Sequence, residues 1–493
     1  MIDTPSVDWF ALSPMLALLG ASAAALLAAV LVPQGARRPF AAAICALGFL
    51  TALVLAAVLY HYSADAISVV SGSARRDRFG IFAEMIVAGS GLLAVGVSYR
   101  ERATFRHVGE YYALLAAAGA GMAFLVTASN LMTLFLGLEW FSISLYILCA
   151  IDRELEGSLE AGLKYLIVGS FGSAFLLFGS ALVYGATGEL GFGPISEAVT
   201  TQGLSDDALL IVGIAMILAG FGFKASAAPF HMWTPDVYEG APSPVTAFMS
   251  AATKAVALVL TLRVLVTAFP QEEHLWTVAV AVIACASLAI GNLAALVQRN
   301  VKRMLAYSSI SHAGFMLIAI ASANALGARA LLYYLVPYAA MSIGAFAVVA
   351  ARERELNRAV TLDNLAGMGW ERPVLGVSML VFMIGFAGLP PTGGFLGKFY
   401  VFSAAYRHGW TWLVIVGVVA TAVSLYYYLA VVRAIFMRPS AELQLAPVAG
   451  GAPHAERLLQ AAVAAALFVT VASFFAVEPV IRLARHAASS LPF

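Results

Sequence analysis

Charge is scarce in this 493-residue chain. Asp, Glu, Lys and Arg make up 11% of it, where a soluble domain carries about 25%. Hydrophobic residues make up 62% and the mean hydropathy is +0.90. Water is therefore not its main solvent, and its length does not count soluble domains. A formal net charge of +1 supplies no basic face to neutralise a run of phosphates, which argues against nucleic acid as a partner. Cysteine is scarce as well. Cys45, Cys149 and Cys285 sit singly in apolar runs, with no CxxC pair and no histidine at metal-ligand spacing. That argues against iron–sulfur clusters, structural zinc and disulfides, and leaves the three as small packing residues. The opening MIDTPSVDWF is acidic rather than basic, so the first apolar run reads as a span and not as a cleaved signal. Glycine-rich pieces such as Gly89–Gly96 open no helix after a strand, so no dinucleotide or flavin site is expected. No nucleophile stands beside a base in any hydrolytic signature.

Long apolar runs dominate what is present. A bilayer crossing takes roughly 20 mostly apolar residues, and on that measure the chain is an all-α polytopic membrane protein of about fourteen transmembrane helices. The expected spans are 14–32, 40–60, 79–98, 110–128, 129–150, 160–184 and 208–228, then 243–268, 275–297, 303–321, 327–350, 373–403, 411–436 and 458–478. The twelfth is interrupted near 389–394. Basic residues are retained on the cytoplasmic side. With the N-terminus outside, the inner loops hold about sixteen of them, among them Arg37, Arg38, Arg106 and Arg457, against about seven outside. Both termini are thus expected away from the cytoplasm.

Transporters often hold two inverted copies whose interrupted helices carry the site. Gly220-Phe221-x-x-Lys224 recurs as Gly394-Phe395-x-x-Lys398, beside Pro229 in one case and Pro390-Pro391 in the other. Ser-Ile-Ser at Ser142–Ser144 recurs at Ser309–Ser311. The lysine motifs fall in spans 7 and 12, and that odd offset reverses the direction of crossing. Two inverted five-helix repeats are expected, spans 4–8 and 9–13, with discontinuous helices 7 and 12. The divisions are 1–109 (helices 1–3), 110–268 (first repeat), 269–436 (second repeat) and 437–493 (helix 14).

Lysine is rarer than any other charged type, and its placement is the most informative feature. Of five lysines, Lys164, Lys224, Lys254 and Lys398 lie within spans, whereas the loops use arginine. Arginine stays charged, while a buried lysine can shed its proton. A membrane site that gains and loses protons would use lysine. The competing reading is snorkelling to the headgroups, which suits Lys164 near a span end and does not suit Lys254 deep in span 8. Glu139 lies in the middle of span 5, where a lone carboxylate costs roughly 2.5–3.5 kcal/mol or more. It needs a partner, and Lys224 is the expected one, either as a switchable pair or as a fixed structural one. Glu84 in span 3 reads as a packing or subunit-contact residue. His61, His107, His274, His408, His454 and His486 fall in loops or tails. His231 and His312 differ. His312 follows Ser308-Ser309-Ile310-Ser311 inside span 10, a polar stretch able to carry water, or else a satisfied interhelical hydrogen bond.

The segment from Phe223 to Pro242, Asn300–Met316 and Gly393–Phe402 together resemble the antiporter-like membrane subunits of proton-pumping NADH:quinone oxidoreductase, respiratory complex I. The wording Pro235-Asp236-Val237-Tyr238-Glu239-Gly240-Ala241-Pro242 resembles the subunit N type, and Lys398 stands where the M type tends to carry glutamate. The resemblance covers roughly residues 110–436. It implies proton transfer through Glu139, Lys224, Lys254, Lys398, Lys164, His312 and His231. It also implies a half-channel in each repeat, and no cofactor or metal in this chain. FMN, iron–sulfur clusters and quinone are expected in partner subunits. The other partners it implies are neighbouring membrane-arm subunits, lipid and protons, in a bacterial cytoplasmic (inner) membrane. The alternative is a subunit of a multi-subunit cation/proton antiporter or membrane-bound hydrogenase.

Overall fold

A bilayer tolerates only backbone that satisfies its own hydrogen bonds, and the apolar runs do so as helices. The computed structural model describes residues 7–63, 66–70, 72–102, 107–438 and 456–493; the loop residues Arg106 and His454 lie outside these. In chain order the helices begin with α1 (Ser13–Leu31), α2 (Gln34–Tyr62), α3 (Arg78–Ser98), α4 (Val108–Val126), α5 (Leu131–Cys149) and α6 (Glu156–Thr187). Next come α7 (Phe192–Gln202), α8 (Ala208–Lys224), α9 (Trp233–Gly240), α10 (Ser243–Ala268), α11 (Glu273–Leu296) and α12 (Val301–Ala321). The last are α13 (Ala325–Leu356), α14 (Pro373–Ala387), α15 (Gly393–Arg407), α16 (Thr411–Met437), α17 (Arg457–Phe475) and α18 (Val477–Ala488). A small antiparallel hairpin, β1 (Ile67–Ser68) with β2 (Arg75–Arg76), closes one end beside α3.

Twelve helices among the described residues are long and apolar enough to cross a membrane, and α8 and α14 are shorter apolar pieces. Together they occupy every expected span. Spans 7 and 12 are each split: α8 is followed by α9 after a break at 225–232, and α14 by α15 after a break at 388–392. Span 7 therefore continues to Gly240, beyond its expected end at 228. The reading missed α7 and α18 because neither is long or uniformly apolar; α18 buries Ile481, Ala484, Ala487 and Ala488 and exposes Arg482 and Arg485.

Short polar residues start several spans. Asp77 accepts from Gly80 N at 2.8 Å at the head of α3, Asn130 from Thr133 N at 2.7 Å at α5, and Asn324 from Gly327 N at 2.8 Å at α13. Each satisfies an amide that the helix leaves open. Burial then ranks the helices. The most apolar stretch of α10 is 100% buried and those of α12 and α13 are 94% and 89% buried, against 33% for α1, α16 and α17. A helix surrounded on every side can carry a polar group that never meets lipid, and α10 carries Lys254.

Glycine permits the tightest approach at the second break. A Cβ on Gly394 would stand 2.0 Å from the Gly385 carbonyl oxygen, so the start of α15 lies directly on the end of α14. Gly394→Ala is expected to destabilise the subunit by about 1–3 kcal/mol through overpacking, read as a lowered thermal midpoint of the purified assembly. An unchanged midpoint would mean that α15 can slide away from α14.

Candidate functional site

Lys224 is the last residue of α8, carried to the end of an apolar helix where the chain must turn. Its Nζ donates to Ser142 Oγ at 2.8 Å and lies 3.5 Å from Tyr146 OH. The rings of Phe223, Phe141, Tyr146 and Tyr165 surround it at 5.2–5.9 Å, an aromatic cage that holds an ammonium by its π faces. Glu139 sits one turn before Ser142 on α5, and its Oε1 is buried without a partner. The sequence-based expectation of a direct Glu139–Lys224 pair is therefore replaced by a looser arrangement. Glu139 acts on Lys224 electrostatically, but the ammonium is bonded to Ser142, whose hydroxyl donates onward to the Leu138 carbonyl. The aromatic cage holds the lysine where the serine, one helical turn along, is the nearer acceptor.

Lys254 is fully buried and donates to the Ala225 carbonyl at 2.9 Å. That carbonyl is free for a definite reason. In a continuing α-helix it would accept from the amide four residues on, which here is Pro229 and has no N–H. The second break repeats the device: the Ala387 carbonyl would need the amide of Pro391, and Lys398 Nζ takes it instead at 3.2 Å. The two lysines of the Gly-Phe-x-x-Lys motif differ in position, since Lys224 precedes its break and Lys398 follows its own. Just before Lys254 the helix widens into a π turn, Met249–Thr253, a local form frequent at functional sites.

From the π turn a line of hydroxyls leads to the second break. Ser342 of α13 donates to Ser250 at 2.7 Å. One turn back on α13, Tyr338 OH bonds Ser309 Oγ of α12 at 2.9 Å. Ser308 bonds Tyr428 of α16, and Tyr428 OH reaches His312 Nε2 at 3.1 Å while Tyr334 OH meets its Nδ1 at 2.8 Å. His312 lies within electrostatic reach of both Lys254 and Lys398. Lys398 stands 4.4 Å above the Phe315 ring, one turn along α12 from His312. Lys224, Lys254, His312 and Lys398 are thus all buried in the helix interior, with half-buried Glu139 beside Lys224.

Two candidates fall elsewhere. Lys164 on α6 is 41% exposed and pairs with Glu160 at 2.6 Å and Asp236 at 2.8 Å. It lines a cavity of about 990 Å³ at one end of the helices, with Asp236, Glu239, Lys302, Arg303 and Glu353. Asp236 is shared with Arg303 at 2.6 Å, so Lys164 belongs to a partly exposed ion-pair cluster and not to the row of buried lysines. His231 lies in the first break, half-buried beside exposed Met232, with Nδ1 buried and unpartnered. It does not join the hydroxyl line.

Sequence reasoning missed Tyr334, Tyr338, Ser342 and Tyr428. A signal existed: the first three stand at i, i+4 and i+8, one stripe of a helix, yet tyrosine in an apolar run also reads as packing.

A buried row of lysines, a histidine and hydroxyls, threaded past two broken spans, defines an antiporter-like membrane subunit. A family model described as NADH:quinone oxidoreductase/Mrp antiporter, TM, matches residues 128–424, and the chain belongs to that family. It is 45% identical to NADH-quinone oxidoreductase subunit N of Trichlorobacter lovleyi over 76% of this chain and 77% of that one. It is likewise 45% identical to subunit N of Salinibacter ruber, over 78% and 77%. Among solved structures it is similar to a chain of respiratory complex I from Thermus thermophilus with bound aureothin, at 34% identity and a TM-score of 0.79, covering 96% of this chain and 99% of that chain. A chain of the Mrp complex from Dietzia sp. shares the fold alone, at 22% identity and a TM-score of 0.81 over 97% of each.

Proposed function

We propose that this chain is the proton-translocating subunit N of an NADH:quinone oxidoreductase, a multi-pass subunit of the inner membrane of a bacterium with both termini on the non-cytoplasmic side. The observation that carries the reading is the placement of four titratable groups in the helix interior, Lys224, Lys254, His312 and Lys398, with Glu139 acting on Lys224 and both Lys254 and Lys398 acting on His312. Protons enter past Lys164 at the charged mouth and pass Lys224 to Lys254. They continue along the serine and tyrosine hydroxyls to His312 and Lys398. The two inverted repeats, 110–268 and 269–436, form the two half-channels, flanked by 1–109 and 437–493, and His231 attends the first break.

Moving one proton against 100 mV takes about 2.3 kcal/mol, so the drive must come from outside this chain. It has no redox centre of its own. FMN, iron–sulfur clusters and quinone belong to partner subunits, and further membrane-arm subunits adjoin this one within the lipid.

Glu139→Gln tests the entry. It removes a negative charge beside Lys224 and is expected to depress redox-linked proton uptake by inverted vesicles, normalised to assembled complex, more than it lowers assembly. Parental uptake would reduce Glu139 to a structural residue. Membranes in which the assembly shows no NADH-linked electron transfer would favour the cation/proton antiporter alternative.

A further inference from the structure

One acid of the membrane interior lies off that route. Glu84 on α3 is 4% exposed and its Oε2 is buried without a hydrogen-bond partner. Asp77, Gly80 and Glu84 stand at i, i+3 and i+7, so they share one face of α3, with Glu84 about 10 Å deeper than Asp77 along the helix. Facing them on α10 is Arg263, 3% exposed, whose guanidinium binds the Asp77 carboxylate and the Val126 carbonyl. A Cβ on Gly80 would stand 3.2 Å from Arg263 Nη2, so the missing side chain leaves the guanidinium room between the two acids. Asp77 in turn meets Arg75 at 3.2 Å, and Arg75 is 36% exposed. The row thus runs from deep in the helix bundle to the surface beside the hairpin.

We infer that Glu84 is a further proton-binding site of this chain, holding a proton at rest and releasing it toward the Asp77–Arg263 pair. The inference rests on the proton-conducting reading above. With one oxygen buried and unpartnered and no lysine caged beside it, unlike Glu139, the Glu84 carboxyl is held as the neutral acid. The charged groups that act on it are Asp77 from its own helix and Arg263 from α10. The other helices packed on α3, namely α2, α4, α13, α17 and α18, bring no further charge to it among the described residues. An arginine cation beside the row steadies the carboxylate left when the proton passes along the row to solvent at the Arg75 end, and reprotonation restores the acid. On its inner side α3 packs against the π turn that precedes Lys254, which puts the site next to the central lysine's helix.

The test uses the assembled complex in its own membrane. Infrared difference spectra of the parent, taken between rest and NADH-driven turnover, are expected to contain a protonated-carboxyl carbonyl band that shifts in heavy water. Glu84→Gln should lose that band and lower the proton-to-electron ratio while sparing uncoupled electron transfer. Glu84→Asp keeps an acid at shorter reach and should retain a displaced band. A band unchanged in Glu84→Gln, or a parental proton-to-electron ratio, overturns the inference. If Glu84→Gln pumps normally while Lys254→Met does not, this inference alone fails; if both pump normally, the proton-conducting reading fails with it.

Discussion

Lys254→Arg is expected to assemble and to lose most coupled proton translocation. Lys254 is fully buried at the centre of a wholly buried helix, and its ammonium rests on the carbonyl freed by Pro229. Arginine keeps the charge and the donors but does not deprotonate in proteins, and a positioned proton-transfer group contributes about 10²-fold or more. Lys254→Met keeps approximate length and removes the charge, so a relay role predicts that both variants fail. A structural cation predicts instead that Arg works and Met does not. Arginine is the bulkier side chain, so native gels must first establish assembly. An assembled Lys254→Arg complex pumping at the parental proton-to-electron ratio would remove Lys254 from the pathway.

The largest effect on stability is expected at Arg263. Asp77 and Arg263 are 1% and 3% exposed at their side chains and bonded to each other. Arg263→Met leaves the buried Asp77 carboxylate only Arg75 and the Gly80 amide and takes from the Val126 carbonyl its guanidinium partner, and breaking a buried pair costs about 3–5 kcal/mol. Asp77→Asn keeps an oxygen for the Gly80 amide and so preserves the helix cap, while removing the charge. The double variant Asp77→Asn, Arg263→Met should therefore recover much of the loss, since removing both charges is often neutral. Thermal unfolding of the purified assembly reads all three. If Arg263→Met melts with the parent, the pair contributes nothing to stability.

The spans and their interruptions were legible because twenty apolar residues have few alternatives to a membrane helix, and because proline announces a missing amide. Lysine placement marked Lys224, Lys254 and Lys398 because the loops use arginine, so a lysine well inside an apolar run stands out as a cation able to shed its proton. What stayed hidden depends on which faces meet. Nothing in the spacing of Glu139 and Lys224 could say that Ser142 would take the ammonium. Lys164 lies near the start of its span, which left snorkelling open; α6 is a 32-residue helix that reaches beyond the hydrocarbon, and its lysine meets Asp236 near water. The hydroxyls of Tyr334, Tyr338 and Tyr428 were indistinguishable from aromatic packing until α12, α13 and α16 were brought together. The helices α7 and α18 carry too little apolar length to register as spans at all.

The π turn at Met249–Thr253 has a mechanical meaning beyond marking the site. A π turn holds one more residue than an α-helix needs for the same height, so α10 carries a slack link immediately before its lysine. Passing that link along by one residue would swing the neighbouring side chain through about 100° and shift it about 1.5 Å along the axis, without breaking the helix or moving its ends. Because α10 is enclosed on every side, its ends have nowhere to travel. A rotation confined to Ser250 through Lys254 would thus turn the lysine while the rest of the enclosed helix keeps its packing.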